Sequence, residues 1–200
     1  READNPDNTV NGLNYSYFQG LWSVLPDFGT LTPVSTGTVL NFDLSPRIQN
    51  DNIGFRFTGY ILVPSDGIYT FYTSSDEGSK LYIGQTLVVN NDGQHTNQES
   101  FGQIGLRAGK HEISVDYFEL SGQEILSVSY DGPGNTKQLI PNQSLFVVSE
   151  ATLTEELQNT INITDKIKIY PQPAKDKITI EIPSEFFNSM LNVVDMNGKL

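Results

Sequence analysis

Apolar residues in this chain recur every second position, in short runs that Gly, Pro, Asn and Asp cut off. Successive side chains of a strand point to opposite faces, so this period turns one face to a core and the other to water. Phe55, Phe57, Ile61 and Val63 alternate with Arg56, Thr58, Tyr60 and Leu62 until Pro64-Ser65-Asp66-Gly67. Ile68-Tyr69-Thr70-Phe71-Tyr72-Thr73 runs into a turn at Ser74-Ser75-Asp76-Glu77-Gly78. Leu81-Tyr82-Ile83 and Thr86-Leu87-Val88-Val89 flank Gly84-Gln85, a two-residue hairpin signal. His111, Ile113, Val115 and Tyr117 alternate with Glu112, Ser114, Asp116 and Phe118, and Ile125–Tyr130 is stopped by Asp131-Gly132-Pro133-Gly134. Turn chemistry at intervals of about 8–12 residues predicts an antiparallel β-sandwich or barrel. The tyrosines inside these runs are read as sheet-packing residues, and the lone Trp22 as core.

The pattern also divides the chain. Residues 1–11 are polar and without periodicity, and read as a linker. Residues 12–149 hold the strand series, and 150–165 read as a second linker. From residue 166 the alternation restarts: Lys166–Tyr170 meets Pro171-Gln172-Pro173, Asp176–Ile182 alternates, and Leu191–Asp195 leads into Met196-Asn197-Gly198, a hairpin turn. The expected class is therefore all-β, a sandwich followed by the start of a smaller one. The chain begins at Arg1 and stops inside an alternating run at Leu200, so it reads as a fragment of a longer protein with any signal peptide removed or upstream.

Charge narrows the partners. Twenty-four acidic residues against 12 basic ones give a net charge of −12. Such a surface repels phosphate backbones and anionic membranes, which leaves neutral sugars and divalent cations as better partners. No stretch approaches the ~20 apolar residues that a membrane-spanning helix needs. The absence of cysteine removes disulfides, thiolate metal sites and a cysteine nucleophile. There is no Gly-x-Ser-x-Gly, no Walker loop and no His-Glu-x-x-His, and His95 and His111 are the only histidines. The chain reads as non-catalytic, with any catalytic domain upstream of it.

Two segments resemble known families. Residues 12–148 resemble the PA14 domain, through the aromatic strand after Gly12, the Phe55–Phe57 strand, Gly67-Ile68-Tyr69-Thr70-Phe71, Ser74–Ile83, Ala108-Gly109-Lys110-His111 and Val115-Asp116-Tyr117-Phe118-Glu119. Residues 167–200 resemble the start of the C-terminal sorting domain that Bacteroidetes use for type IX secretion, through Ile169-Tyr170-Pro171-Gln172-Pro173-Ala174 and Val194-Asp195-Met196-Asn197-Gly198. The first resemblance implies a β-sandwich. In its lectin members, adjacent acidic residues joined by a cis peptide bind calcium, and calcium binds sugar hydroxyls. Other members are structural inserts. The second implies an Ig-like fold, contact with the type IX secretion machinery and export across the outer membrane.

Carried onto this sequence, the resemblance makes Asp76 and Glu77 the calcium-binding pair. Lectin members carry Asp-Asp here. The extra methylene of Glu77 either alters the ion geometry or leaves Glu77 as a solvated turn residue. The third side-chain ligand is expected from Leu120–Glu124, with Gln123 first and Glu124 as its substitute. Calcium takes several hard oxygen ligands, which these residues supply. A second candidate surface is Asn90–His95, where Asn91, Asp92 and His95 would hydrogen-bond sugar hydroxyls. It reads equally as a polar hairpin loop whose side chains bond the backbone. The sequence thus predicts a calcium-dependent carbohydrate-binding module of a secreted enzyme or adhesin. The alternative is a structural spacer that packs on an upstream glycoside hydrolase and shapes its cleft.

Overall fold

A computed structural model describes residues 1–149, 168–170 and 179–181. The chain forms two compact units, Arg1–Ser149 and Glu150–Leu200. The first contains twelve strands: β1 (Thr9–Asn11), β2 (Leu13–Gln19), β3 (Ser35–Val39), β4 (Ile53–Val63), β5 (Gly67–Ser75), β6 (Ser79–Ile83), β7 (Thr86–Asn91), β8 (Gln98–Leu106), β9 (Gly109–Glu119), β10 (Leu126–Gly132), β11 (Asn135–Leu139) and β12 (Leu145–Val148). Two single 3₁₀ turns, Phe28–Thr30 and Asn142–Ser144, interrupt the loops.

Two sheets result, with antiparallel pairing throughout. One runs β1-β12-β4-β9-β6-β7, with β2 also paired to β4 and β3 to β2; the other runs β11-β10-β5-β8. The edge of β4 is shared. Residues Ile53–Thr58 pair with β2, whereas Tyr60 and Ile61 pair with β12. Gly59 lies at the changeover, where a Cβ would stand 2.6 Å from the Phe146 carbonyl oxygen and 2.8 Å from Leu13. Only a residue without a side chain lets both strands reach β4.

The period read from the sequence is the period of burial. In β4, Phe55, Phe57, Ile61 and Val63 are fully buried, and in β9 so are Ile113, Val115 and Tyr117. They meet Tyr69, Phe71, Val128 and Tyr130 from the second sheet in one apolar cluster. This is the packing expected of two face-to-face sheets with inward side chains interdigitating. Phe55 and Phe57 stack with ring planes 4° apart and centroids at 5.4 Å. Tyr17, Tyr69, Tyr117 and Tyr130 are buried, as their place in the strand pattern predicts. Gly84, at φ +57°, makes the expected two-residue turn between β6 and β7. Trp22 is half-buried and packs edge-on to Phe28, with centroids 5.8 Å apart, as a lid on the outer aromatic layer.

The lead-in read as a linker is held against the first unit. Residues Thr9–Asn11 pair with Val148–Phe146. Upstream, Asp4 and Asn5 donate their backbone N–H groups to the Lys110 carbonyl, and Asp4 Oδ2 accepts from Glu112 N. Those bonds give residues 1–11 the partners that a polar sequence without periodicity cannot reveal. In the second unit, β13 (Lys168–Tyr170) pairs antiparallel with β14 (Thr179–Glu181), with Ile169 opposite Ile180. The linker expected at 150–165 and the hairpin expected at Asn197-Gly198 lie outside the described residues.

Candidate functional site

The acidic pair sits in the turn from β5 to β6, where the chain crosses from one sheet to the other. Glu77 makes the bend with φ +61°, a left-handed conformation that a non-glycine residue adopts only when its surroundings hold it. Several bonds do so. Asp76 N donates to the Ile125 carbonyl at 3.1 Å, Glu77 N to that of His95 at 2.9 Å, and Phe118 N to that of Gly78 at 2.9 Å. Beneath the turn, Ser75 Oγ donates to the Glu77 carbonyl at 2.7 Å and lies 2.8 Å from Ser79 Oγ. Gly78 is pressed on the Phe118 ring, which a Cβ would meet at 2.3 Å.

The two acidic side chains go different ways. Glu77 is buried, 8% exposed, and its Oε2 accepts the backbone N–H of Leu120 at 2.5 Å. Burial pushes its carboxyl up, the Leu120 bond opposes that shift, and the nearby Asp76 charge adds to it. Asp76 is partly exposed and directs Oδ2 toward Gly122, where the point at which a side chain would begin lies 3.6 Å away. Glu119, the last residue of β9, approaches the same point: its Oε1 is 3.8 Å from it. Glu119 is wholly buried. Its Oε2 accepts from the Tyr117 hydroxyl at 3.1 Å, and its Oε1 has no hydrogen-bond partner among the described residues. Burial, reinforced by Glu77, Asp76 and Glu124, pushes the Glu119 carboxyl up to about 7. Burial and the Glu119 carboxyl push the Tyr117 hydroxyl up as well.

The other expected ligands are dispersed. Gln123 is exposed at the tip of the loop after β9, and its carbonyl accepts from Ile125 N. Glu124 is half-buried, with an oxygen 3.6 Å from Arg47 Nη2. Among the described residues, no three Asp, Glu or His side chains are gathered so as to hold an ion unaided. The oxygens at this end are of the hard type that calcium takes. Glu119 Oε1 is a fully buried carboxylate oxygen without a donor among the described residues, an acceptor that a cation or a hydrogen-bond donor would satisfy.

Asn91 and Asp92, expected to face a sugar, are committed internally. Asn91 is 3% exposed; its amide donates to Ser75 Oγ and the Gln98 carbonyl and accepts from Gln98 Nε2. Asp92 accepts from Leu25 N and Gly93 N through Oδ1 and from Lys80 Nζ through Oδ2. Both ring nitrogens of His95 face carbonyls, those of Asn91 and Thr96, at 3.0 Å. This loop braces the acidic turn from behind, as the hairpin-loop reading has it.

Glu119 received no role from its sequence context. The signal was present, because a period of two counted from the inward-facing Tyr117 puts Glu119 on the buried side.

The longer of two family matches falls within the first unit. Residues 10–144 match the PA14 domain. The chain belongs to the PA14 domain family. Residues 168–200 match the secretion system C-terminal sorting domain, which marks the chain for export to the outer membrane or cell surface. The anti-sigma-I factor RsgI3 of Acetivibrio thermocellus is 25% identical over 146 residues, covering 70% of this chain and 22% of that protein. This PA14 chain thus spans about a fifth of the length of the curated relative it matches. An anti-sigma factor domain-containing protein from Clostridium clariflavum superposes with a TM-score of 0.60 at 23% identity, over 70% of this chain and 48% of that one. A PA14 sugar-binding domain from an RTX adhesin superposes with a TM-score of 0.58 at 15% identity, over 69% of this chain and 99% of that one. At these identities the two superpositions establish the fold that the PA14 family shares.

Proposed function

We propose that the first unit is a calcium-dependent carbohydrate-binding module, acting at the Asp76 turn, within an exported glycan-active enzyme or adhesin. The observation that carries this reading is the surplus of carboxylates at one end of the sandwich. Asp76, Glu77, Glu119 and Glu124 lie close enough for their charges to bear on one another, and among the described residues their one ion pair is the peripheral contact of Glu124 with Arg47. Mutual repulsion at partly buried sites is relieved by binding a cation. A calcium ion there would offer open coordination positions to vicinal sugar hydroxyls. The neighbouring loops expose Leu21, Val24 and Ile48, which suit the apolar face of a pyranose ring. The sugar-binding adhesin domain supports the same class of ligand.

The role is binding, with any chemistry assigned to a further domain. Asp76 is partly exposed, while the turn that carries it is fixed by backbone bonds to two later loops. A glycan array probed with the 200-residue chain, with and without a chelator, tests this. Chelator-sensitive binding is expected. If no sugar is bound with calcium present, the spacer role beside a glycoside hydrolase takes its place.

A further inference from the structure

We infer that the second charged cation ligand of this site is Glu119 and that Glu77 is a clasp. The inference rests on the proposal that the Asp76 turn holds calcium, and it assigns the oxygens within it. In a pair of adjacent acidic residues both carboxylates are expected to serve the ion. Here the longer side chain of Glu77 reaches across to Leu120 N, and that bond engages Oε2 at 2.5 Å. It fixes the first residue of the loop that runs to Glu124, and Asn52 N holds the carbonyl of the same residue at 3.1 Å. Leu120 is therefore secured on both sides of its peptide.

The position left by Glu77 is filled from the adjoining strand. Glu119 Oε1 is buried, has no donor among the described residues, and lies 3.8 Å from the point where a Gly122 side chain would begin, with Asp76 Oδ2 3.6 Å from the same point. Gly122 has φ +128° and no side chain, so nothing stands between the two oxygens at that point. The Tyr117 hydroxyl orients the other oxygen of Glu119. Such an outer hydrogen bond is what a ligating carboxylate ordinarily carries. An orphaned buried oxygen costs stability unless something binds it, and a calcium ion shared with Asp76 would satisfy it. The Asp-to-Glu change at position 77 is on this account no weakening of the site. It moves one carboxylate from the ion to the loop, and the strand residue takes over.

The test uses calcium and terbium titrations of the 200-residue chain, by calorimetry and by terbium luminescence excited through tyrosine. D76N and E119Q are expected to weaken calcium binding by about tenfold or more, because affinity in oxygen sites follows the charge of the ligands. E77Q, whose amide oxygen still accepts from Leu120 N, is expected to stay within about threefold. Unchanged affinity in E119Q, or a larger loss in E77Q than in E119Q, overturns the inference while leaving calcium at the turn. A wild-type chain silent to both ions overturns the calcium reading as well. Melting temperature separates ligation from mere folding. E119Q is expected to keep or raise it without calcium and to lose most of the gain on adding calcium. An equal fall in both conditions makes Glu119 a structural residue only.

Discussion

The backbone N–H of Leu120 donates to Glu77 Oε2 across 43 residues of chain, at 2.5 Å. One side chain of the β5–β6 turn thereby sets the start of the loop after β9. Shortening it breaks the link: in Glu77→Asp the carboxylate no longer reaches Leu120. The expected loss is about 1.5–3 kcal/mol in urea unfolding, typical of a hydrogen bond to a charged group. Faster hydrogen exchange at the Leu120 amide is the local sign.

Glu119 makes the ion-free protein sensitive to pH. Its carboxyl is raised to about 7 by burial, with Glu77, Asp76 and Glu124 adding to the shift and the Tyr117 hydroxyl opposing it. The folded state thus binds this proton more tightly than the unfolded chain, whose value is near 4.5. Stability is full below that value and falls as pH rises toward 7, at up to about 1.4 kcal/mol per pH unit. Chelated protein unfolded in urea at several pH values should show this slope, and Glu119→Gln should flatten it. A rise in stability over the same interval would contradict the assignment.

Asn91 is expected to matter for folding. Its amide joins Ser75, Gln98 and, through Ser75, the hydroxyls under the acidic turn. Asn91→Ala should lower stability by about 1–3 kcal/mol, the cost of stranding buried polar partners. Calcium affinity extrapolated to the folded fraction should change little. A large loss of glycan binding without loss of stability would return Asn91 to the sugar-facing surface.

Gly59 is irreplaceable for a backbone reason. A Cβ there collides with the Phe146 carbonyl, which cannot swing aside as a side-chain tip would. Gly59→Ala should cost about 1–3 kcal/mol, as overpacking does. Nuclear magnetic resonance should place the largest shift changes in β2 and β12.

Much of the fold was legible because burial and sequence share one period. Phe55, Phe57, Val115 and Tyr117 face the core where the alternation puts them. The hairpin at Gly84 follows from its own two residues. Residues 1–11 were not legible, since their partners, Lys110, Glu112 and Val148, lie about a hundred or more positions away and are reached through backbone groups and the short polar side chains of Asp4 and Asn5, which carry no periodicity. The candidate site was legible in part. The acidic turn stands out as Asp76-Glu77-Gly78, but which way each carboxylate points depends on the path of the 120–124 loop. Gln123 looks apt by residue type and lies exposed at a loop tip, whereas Glu119 looks like a strand residue and is the one with an unmet oxygen.

The pairing of β1 with β12 sets Thr9 opposite Val148, so the first and last strands of the first unit lie side by side. A protein moored at the cell surface and tugged through a captured ligand or a neighbouring domain transmits that pull along its backbone. With both ends on the same side of an antiparallel pair, tension opens the ladder one rung at a time, from Thr9 and Val148 toward Asn11 and Phe146, instead of loading all rungs together. Pulled apart at Thr9 and Val148, this pair would part at low force before β12 leaves β4, three strands away from β6 and the acidic turn in the same sheet.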